Sequence, residues 1–388
     1  MNRIFNPATW AFSLISAFCL VSTPAIAQSA EDEFSRYEAF DADSRTRIDY
    51  TAFDDILRGI VFEVGRSDRI PGRGRDVMMT GTRLSYENTS RYRYEGNRLV
   101  LHLLEEEHRT AISQYREELE RLPSSIDLAS LSSNEQLAYW LNLHNVVVID
   151  ELAQRFPIRS LRRWEIDGVA YADADIINID GHQISLNDIR FNIVGANWPD
   201  HRVMYGFFAG AVGGPTIQGK AYTGPRVWSE LEAGAREYVN ALRGVESARF
   251  GFRVSPLYGE WQDVMFPAWP EDLRSHLELY AEAGASATLA AGVEPNFLRY
   301  DWSIADLNNG VARCRGHNPA NNMTNACTTL APHTQNFINV IIERRIEFLR
   351  SGELGSVTIR DIETDDEAQP TERWIDTNGD ALAEELSR

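Results

Sequence analysis

Cysteine is scarce in this chain, and what there is lies toward its ends. Of 388 residues three are cysteine: Cys19, Cys314 and Cys327. A thiol nucleophile in the long stretch between Cys19 and Cys314 is therefore excluded. Basic residues are outnumbered, 38 Lys and Arg against 57 Asp and Glu, for a net charge of −19. A chain this acidic repels phosphate backbones and anionic lipid, which argues against nucleic acid as a partner. There is no G-x-S-x-G, H-E-x-x-H, C-x-x-C or G-x-x-x-x-G-K-[ST]. The commonest serine-hydrolase, zinc-protease, dithiol and phosphate-loop signatures thus have no support. No cofactor and no metal are expected. Past the N-terminal segment, no apolar run reaches the roughly 20 residues that a spanning helix needs.

The N-terminal segment itself reads as a secretory signal. Arg3 is followed by the apolar stretch Trp10 to Val21, then by Pro24 and the small-x-small pattern Ala25-Ile26-Ala27. Cleavage there starts the mature chain at Gln28. The competing readings are an uncleaved anchor and a lipid on Cys19. The apolar run is short for the first, and the cleavage consensus is missing for the second. Without Arg3 the balance is 37 basic to 57 acidic, a net −20. The compact signal and the missing retention ending favour a periplasmic or secreted protein. There Cys314 and Cys327 are expected to form a disulfide, worth about 3 kcal/mol in the chain-entropy model. Zinc held by Cys314, His317, Cys327 and His333 is the alternative, at a spacing unlike the common fingers.

Helix and strand signals interleave. Phe53 to Val64 and Leu99 to Leu122 have helical spacing, the second stopped by Pro123. Ser132 with Glu135 fits a capping box opening a helix to Arg155, before Pro157. Asp167-Gly168 and Asp180-Gly181, each between alternating residues, predict two hairpins. Ser185 with Asp188 caps a short helix. Val203 to Phe208, Phe250 to Val254 and Phe297 to Trp302 read as strands. Pro225 to Leu242, Glu271 to Ala283 and Gln335 to Arg350 read as helices. Hairpins among helices give an α+β fold, with helices around a small, largely antiparallel sheet. The organisation is a signal (1–27), a polar lead-in (28–49), one main domain (50–310) and a C-terminal extension (311–388). That extension holds the cysteines, a helix and an acidic tail. Asp376 to Asp380 resembles the start of a calcium loop, but Ala381 and Ser387 stand where the loop needs Gly and Glu. Asn88 and Asn322 head glycosylation sequons that matter only in a eukaryotic route.

The helix Asn134 to Ile149 is apolar nearly all round, which belongs in a core. Yet it holds Glu135, Gln136, Asn142, His144 and Asn145. At 100° per residue Glu135, Asn142 and Asn145 fall within roughly a quarter of its circumference, with His144 on the other side. Either they face a ligand, or they form a buried network that holds neighbouring loops. The glycine-dense run Gly206 to Gly219 follows. Its Gly214 could let main-chain amides approach a ligand, or the run is a tight structural turn.

With Asn97-Arg98, Ile184 to Ile189, Tyr222-Thr223-Gly224 and Tyr300-Asp301-Trp302, the W-x-N-x-x-N helix resembles the domain-of-unknown-function family numbered 547. The resemblance spans roughly residues 50–310. It implies no settled activity; known relatives include exported bacterial proteins and plant proteins with coiled-coil extensions. Where the family reads R-[IV]-H-F-A-L-V-C-G-A-x-x-C-P, this chain has Met204 for histidine and Ala209 and Gly214 for the cysteines. His144 stands in place of a tyrosine. Any Cys/His chemistry of the family is lost here. The first reading is a non-catalytic exported protein that binds a ligand or envelope protein, with Glu135, Asn142, Asn145 and Gly214 as candidate site residues. The alternative is a periplasmic hydrolase using His144 or His201 with a carboxylate. A third is a structural domain acting through its Cys314–Cys327 loop and tail.

Overall fold

The computed structural model describes residues 34–73, 88–292, 295–312, 315–318, 323–326 and 332–351. The expected signal, both cysteines of the expected pair, Asn322 and the tail at Asp376 to Asp380 lie outside them. The chain divides into units Met1–Arg344 and Arg345–Arg388, and the architecture below is that of the first.

Helix α1 (Thr51–Ile60) buries Phe53, Leu57 and Ile60, the stripe that helical spacing dictates. It runs into β1 (Val61–Phe62), paired antiparallel with β2 (Arg98–Leu99). Helix α2 (Glu106–Arg121) starts later than its apolar residues suggest. Leu99 is taken into β2, and Leu101 turns through a 3-10 segment whose N–H donates to Asp306 (3.0 Å).

Helix α3 (Ser133–Arg155) is the axis of the unit, with every residue from Glu135 to Asp150 buried. Ser132 Oγ accepts from Glu135 N–H at 3.4 Å, the expected N-cap. Burying each large aliphatic side chain here contributes about 1.5–3 kcal/mol, so the helix is held by its whole circumference rather than by one stripe.

The two hairpins form as read, β3 (Glu165–Ile166) with β4 (Val169–Ala170) and β5 (Ile177–Ile179) with β6 (His182–Ile184). Asp167, Gly168, Asp180 and Gly181 all take positive φ, between 52° and 84°, the geometry of a two-residue I′ turn. Ser185 and Asp188 cap one another: Ser185 N–H donates to Asp188 (2.8 Å) and Asp188 N–H to Ser185 Oγ (3.0 Å). The helix they open is a π-helix, Asp188–Gly195.

Val203 to Phe208 is not a strand. His201–Gly206 winds as a 3-10 helix, and Phe207 beyond it is extended. A short apolar run does not distinguish buried strand from buried helix. Its end is tied to an α3 side chain instead of a strand neighbour. Helix α4 (Val227–Val239) then packs on this turn. Strands β7 (Val245–Ser247), β8 (Phe252–Val254) and β9 (Pro295–Phe297) form one sheet, antiparallel and then parallel. Between β8 and β9 lie α5 (Pro256–Glu260), α6 (Gln262–Met265), α7 (Glu271–Tyr280) and α8 (Ala283–Leu289). The strand expected over Phe297 to Trp302 ends at Phe297; beyond it Ser303 and Ile304 make only single bridges, to Ser160 and Ala211. β10 (Arg315–Asn318) pairs with β11 (Met323–Ala326), and α9 (Pro332–Ser351) sets Phe337 against Tyr94. The fold is α+β, with mostly antiparallel pairing distributed over several small sheets.

Asn142 should be indispensable to stability. Replacing it by Ala leaves the buried N–H and C=O of Tyr222 without partners, a loss of about 2–5 kcal/mol. Asn142→Asp should cost at least as much, because it sets an oxygen against the Tyr222 carbonyl. Urea denaturation of the two variants checks this; midpoints within error of the parent would refute the role.

Candidate functional site

The five buried polar residues of α3 between Glu135 and Asn145 fall into two sets. The first grips main chain. Glu135 accepts from Ile48 N–H (3.0 Å) and from Arg47 (3.3 Å), and Gly224 lies close enough that a Cβ there would strike the carboxylate. Gln136 donates to the carbonyls of Ala39 (2.7 Å) and Leu128 (2.6 Å). Asn142 Nδ2 donates to the Tyr222 carbonyl (2.8 Å) while its Oδ1 accepts from Tyr222 N–H (2.9 Å). Asn145 does the same one turn on, donating to Gly206 O (2.9 Å) and accepting from Phe208 N–H (2.9 Å).

The second set is His144. Its Nδ1 lies 3.2 Å from Asn145 Oδ1. That atom must be the amide oxygen, because Phe208 N–H can only donate to it. The hydrogen of the His144–Asn145 bond therefore sits on Nδ1, and Nε2 keeps a free lone pair. Burial, then Arg190, lower the His144 pKa to about 3, so the ring is neutral across the ordinary pH range.

His144 lines a cavity of about 340 Å³, within the range of small-molecule sites. Its apolar wall includes Phe191, Phe207, Leu257 and Ala209. The polar side is Arg190, Glu260, Asn187 and Tyr300. Arg190 comes from the π-helix, a geometry found often at functional sites. It donates to Glu260 (2.6 Å) and Asn187 (2.9 Å). Its Nε is buried without a partner. Burial holds the Tyr300 hydroxyl far above its ordinary pKa, so it stays a donor. Among the described residues lining the cavity there is no Ser, Thr or Cys.

Gly214 lies at the back of this site. A Cβ on it would come within 2.8 Å of the Tyr300 hydroxyl and 2.9 Å of Ala209 Cβ. The two positions where the resembling family carries cysteine are thus neighbours, one of them in the cavity wall. Met204, at the family's histidine position, is fully buried. The glycine run is a braced turn. Gly213 N–H donates to Asp301 O (2.9 Å) so closely that a Cβ would clash with that main chain. Tyr238 donates to Gly213 O (2.7 Å), and the buried Arg243 to Gly214 O (3.2 Å).

Of the sequence candidates, Glu135, Asn142 and Asn145 have their polar atoms engaged by Ile48, Arg47, Tyr222, Gly206 and Phe208. Gly214 adjoins the cavity. Sequence reasoning passed over Arg190, Glu260 and Tyr300. Residue spacing carries no sign that the π-helix, α5 and the segment after β9 converge on His144. The one available signal was a histidine on a helix otherwise committed to the core. His201, the other histidine considered, stacks on His276 (5.0 Å), away from the residues lining the cavity.

The segment 128–239 matches the model of the family described as "Protein of unknown function, DUF547". No curated protein and no solved structure matches the chain.

Two buried imidazoles set a pH dependence. Burial lowers both His144 and His276 to about 3, against about 6.5 when unfolded. Between those values the unfolded chain binds the protons and the folded chain does not. Stability should therefore fall as pH drops from about 6.5 toward 3, by up to about 1.4 kcal/mol per pH unit per histidine. Between pH 6.5 and 5 the buried Asp306, raised by burial to about 7, contributes a slope of the opposite sign, and against that background His144→Gln should lower the pH slope of the urea-denaturation free energy by up to about 1.4 kcal/mol per pH unit. An unchanged slope would contradict the assignment.

Proposed function

We propose that this chain, whose residues 128–239 match the DUF547 family model, is an exported binding protein that holds a small, partly apolar ligand beside α3. The observation that carries this reading is His144, its tautomer fixed by Asn145 so that Nε2 keeps a lone pair, in the lining of a cavity with a largely apolar wall. The ligand it suits has an aromatic or aliphatic body and a hydrogen-bond donor. Arg190 Nε, buried and unpartnered, takes an acceptor on the same ligand.

The cavity also admits the alternative of a hydrolase, since a lone pair beside Glu260 could orient water. Its pKa weighs against that. A general base works best near the operating pH, and a group held at about 3 takes a proton from water poorly. Among the described lining residues there is also no Ser, Thr or Cys to serve as the usual nucleophile, and the hydroxyls present are the phenols of Tyr171 and Tyr300, both held above their ordinary pKa by burial. Export rests on the N-terminal segment ending at Ala27, and the protein would work in the periplasm or outside the cell. Among the described residues no helix is long and apolar enough to cross a membrane.

Two measurements test the reading. p-Cresol, with an apolar ring and one donor, should bind the mature protein and shift the His144 Nε2 resonance. Toluene should bind several-fold more weakly, and Ala209→Leu should block both. Equal binding of both probes by the Ala209→Leu variant would overturn the proposal, and an esterase activity abolished by His144→Gln would favour the hydrolase. Separately, protein exported by its host should begin at Gln28 and titrate no free thiol, with Cys314 joined to Cys327. An intact N-terminus or two free thiols would remove the export argument.

A further inference from the structure

Beyond Tyr300 and Trp302, which line both spaces, lies a second and larger groove of about 780 Å³. Its character is opposite to that of the cavity. Arg91, Arg162, Arg253 and Arg299 line it, with Glu246 and Asp301 as the acidic groups. Arg91 and Arg253 each lie 2.7 Å from the buried Glu246 carboxylate. Among the described residues no ion pair joins Arg162 or Arg299, and both side chains are exposed. Four guanidinium groups against two carboxylates leave this groove positive on a chain of net charge −19. Such a patch draws in a small anion, while the surrounding negative field holds off a long polyanion.

Two further features narrow the chemistry. Trp302 is 40% exposed, and its ring is braced by Tyr300 at 4.5 Å, so it offers a flat apolar face. Asp301 accepts from Ser303 N–H through Oδ1 (3.0 Å), while its buried Oδ2 has no partner. A ligand built only of acceptors, such as sulfate, would be repelled by Asp301. One that carries a carboxylate, hydroxyl donors and a ring face answers all three features. We infer that the groove binds an acidic saccharide. Its carboxylate sits on Arg162 and Arg299 in the bidentate manner of guanidinium pairs, its ring lies over Trp302, and a hydroxyl turns to Asp301.

Titration calorimetry of the mature protein with trigalacturonate tests this. Trigalacturonate should bind, more weakly as salt rises, and neutral maltotriose should not. The exposed double variant Arg162→Gln/Arg299→Gln should lose about tenfold or more in affinity, as should Trp302→Ala. His144→Gln should leave trigalacturonate binding unchanged, which separates this groove from the cavity. Failure of trigalacturonate to bind, or equal affinity in the arginine double variant, would overturn the inference. So would inorganic phosphate or a thymidine oligonucleotide binding as tightly and surviving Trp302→Ala, which marks a general anion patch.

Discussion

Side chain to main chain hydrogen bonding from one buried helix organises this protein. A helix interior cannot offer its own N–H and C=O groups to its neighbours, since they are consumed by its ladder. Asn142 and Asn145 restore that capacity. Each amide presents a donor and an acceptor in the pattern of a peptide group, and each binds a segment with few ladder partners of its own: Tyr222 in one case, Gly206 and Phe208 in the other. Glu135 and Gln136 do the same for Ile48, Ala39 and Leu128. Among the described residues the sheets are small, none wider than three strands, and cannot pin these connections. The helix does so instead, through the hydrogen bonds of its side chains to those loops.

The cavity depends on that arrangement at a single atom. Asn145 Oδ1 takes hydrogen bonds from Phe208 N–H and from the His144 ring. The bond that closes the turn after Gly206 thereby selects the histidine tautomer, and with it what the cavity offers a ligand. A second brace comes from the far side, where Arg243, itself held by Glu237 (2.7 Å), donates to Gly214 O. Glu95 accepts from the main-chain N–H groups of Leu242 (2.8 Å) and Arg243 (3.0 Å). A buried charged pair is weak evidence for stability but a plausible source of specificity. Here it fixes the turn that backs Ala209 and Tyr300.

The sequence shows α3, its cap, both Asp-Gly hairpins and the Ser185–Asp188 box because each depends on local chemistry: a full apolar circumference, a positive-φ turn, a reciprocal side-chain cap. It conceals elements whose form is set from a distance. His201–Gly206 reads as a strand because its apolar run is compatible with either state, and Asn145, more than fifty residues away, decides. Leu99 and Leu101 look helical, yet β1 and Asp306 draw them out of α2. The asparagines were visible as a polar stripe, but a stripe bound to main chain and a stripe facing a ligand have the same spacing. What separates them is the partner, and Tyr222, Gly206 and Phe208 lie 61 to 80 residues off.

The same logic bears on the positions where this chain departs from the pattern of the family it resembles. Positions 209 and 214 are adjacent in space, so two cysteines there would put two thiols within reach of each other and of the cavity. In this chain Ala209 gives an apolar wall, and the Tyr300 hydroxyl lies where a side chain at 214 would begin. Position 144 supplies an imidazole instead of the phenol that the resembling family carries. The substitutions are mutually consistent. No thiol stands at either position, Asn145 fixes the tautomer of the imidazole on the neighbouring wall, and burial with Arg190 keeps that ring neutral. The helix whose polar stripe could be read from sequence either way therefore splits its residues, with Asn142 and Asn145 holding the loops while His144, between them in sequence, lines the cavity.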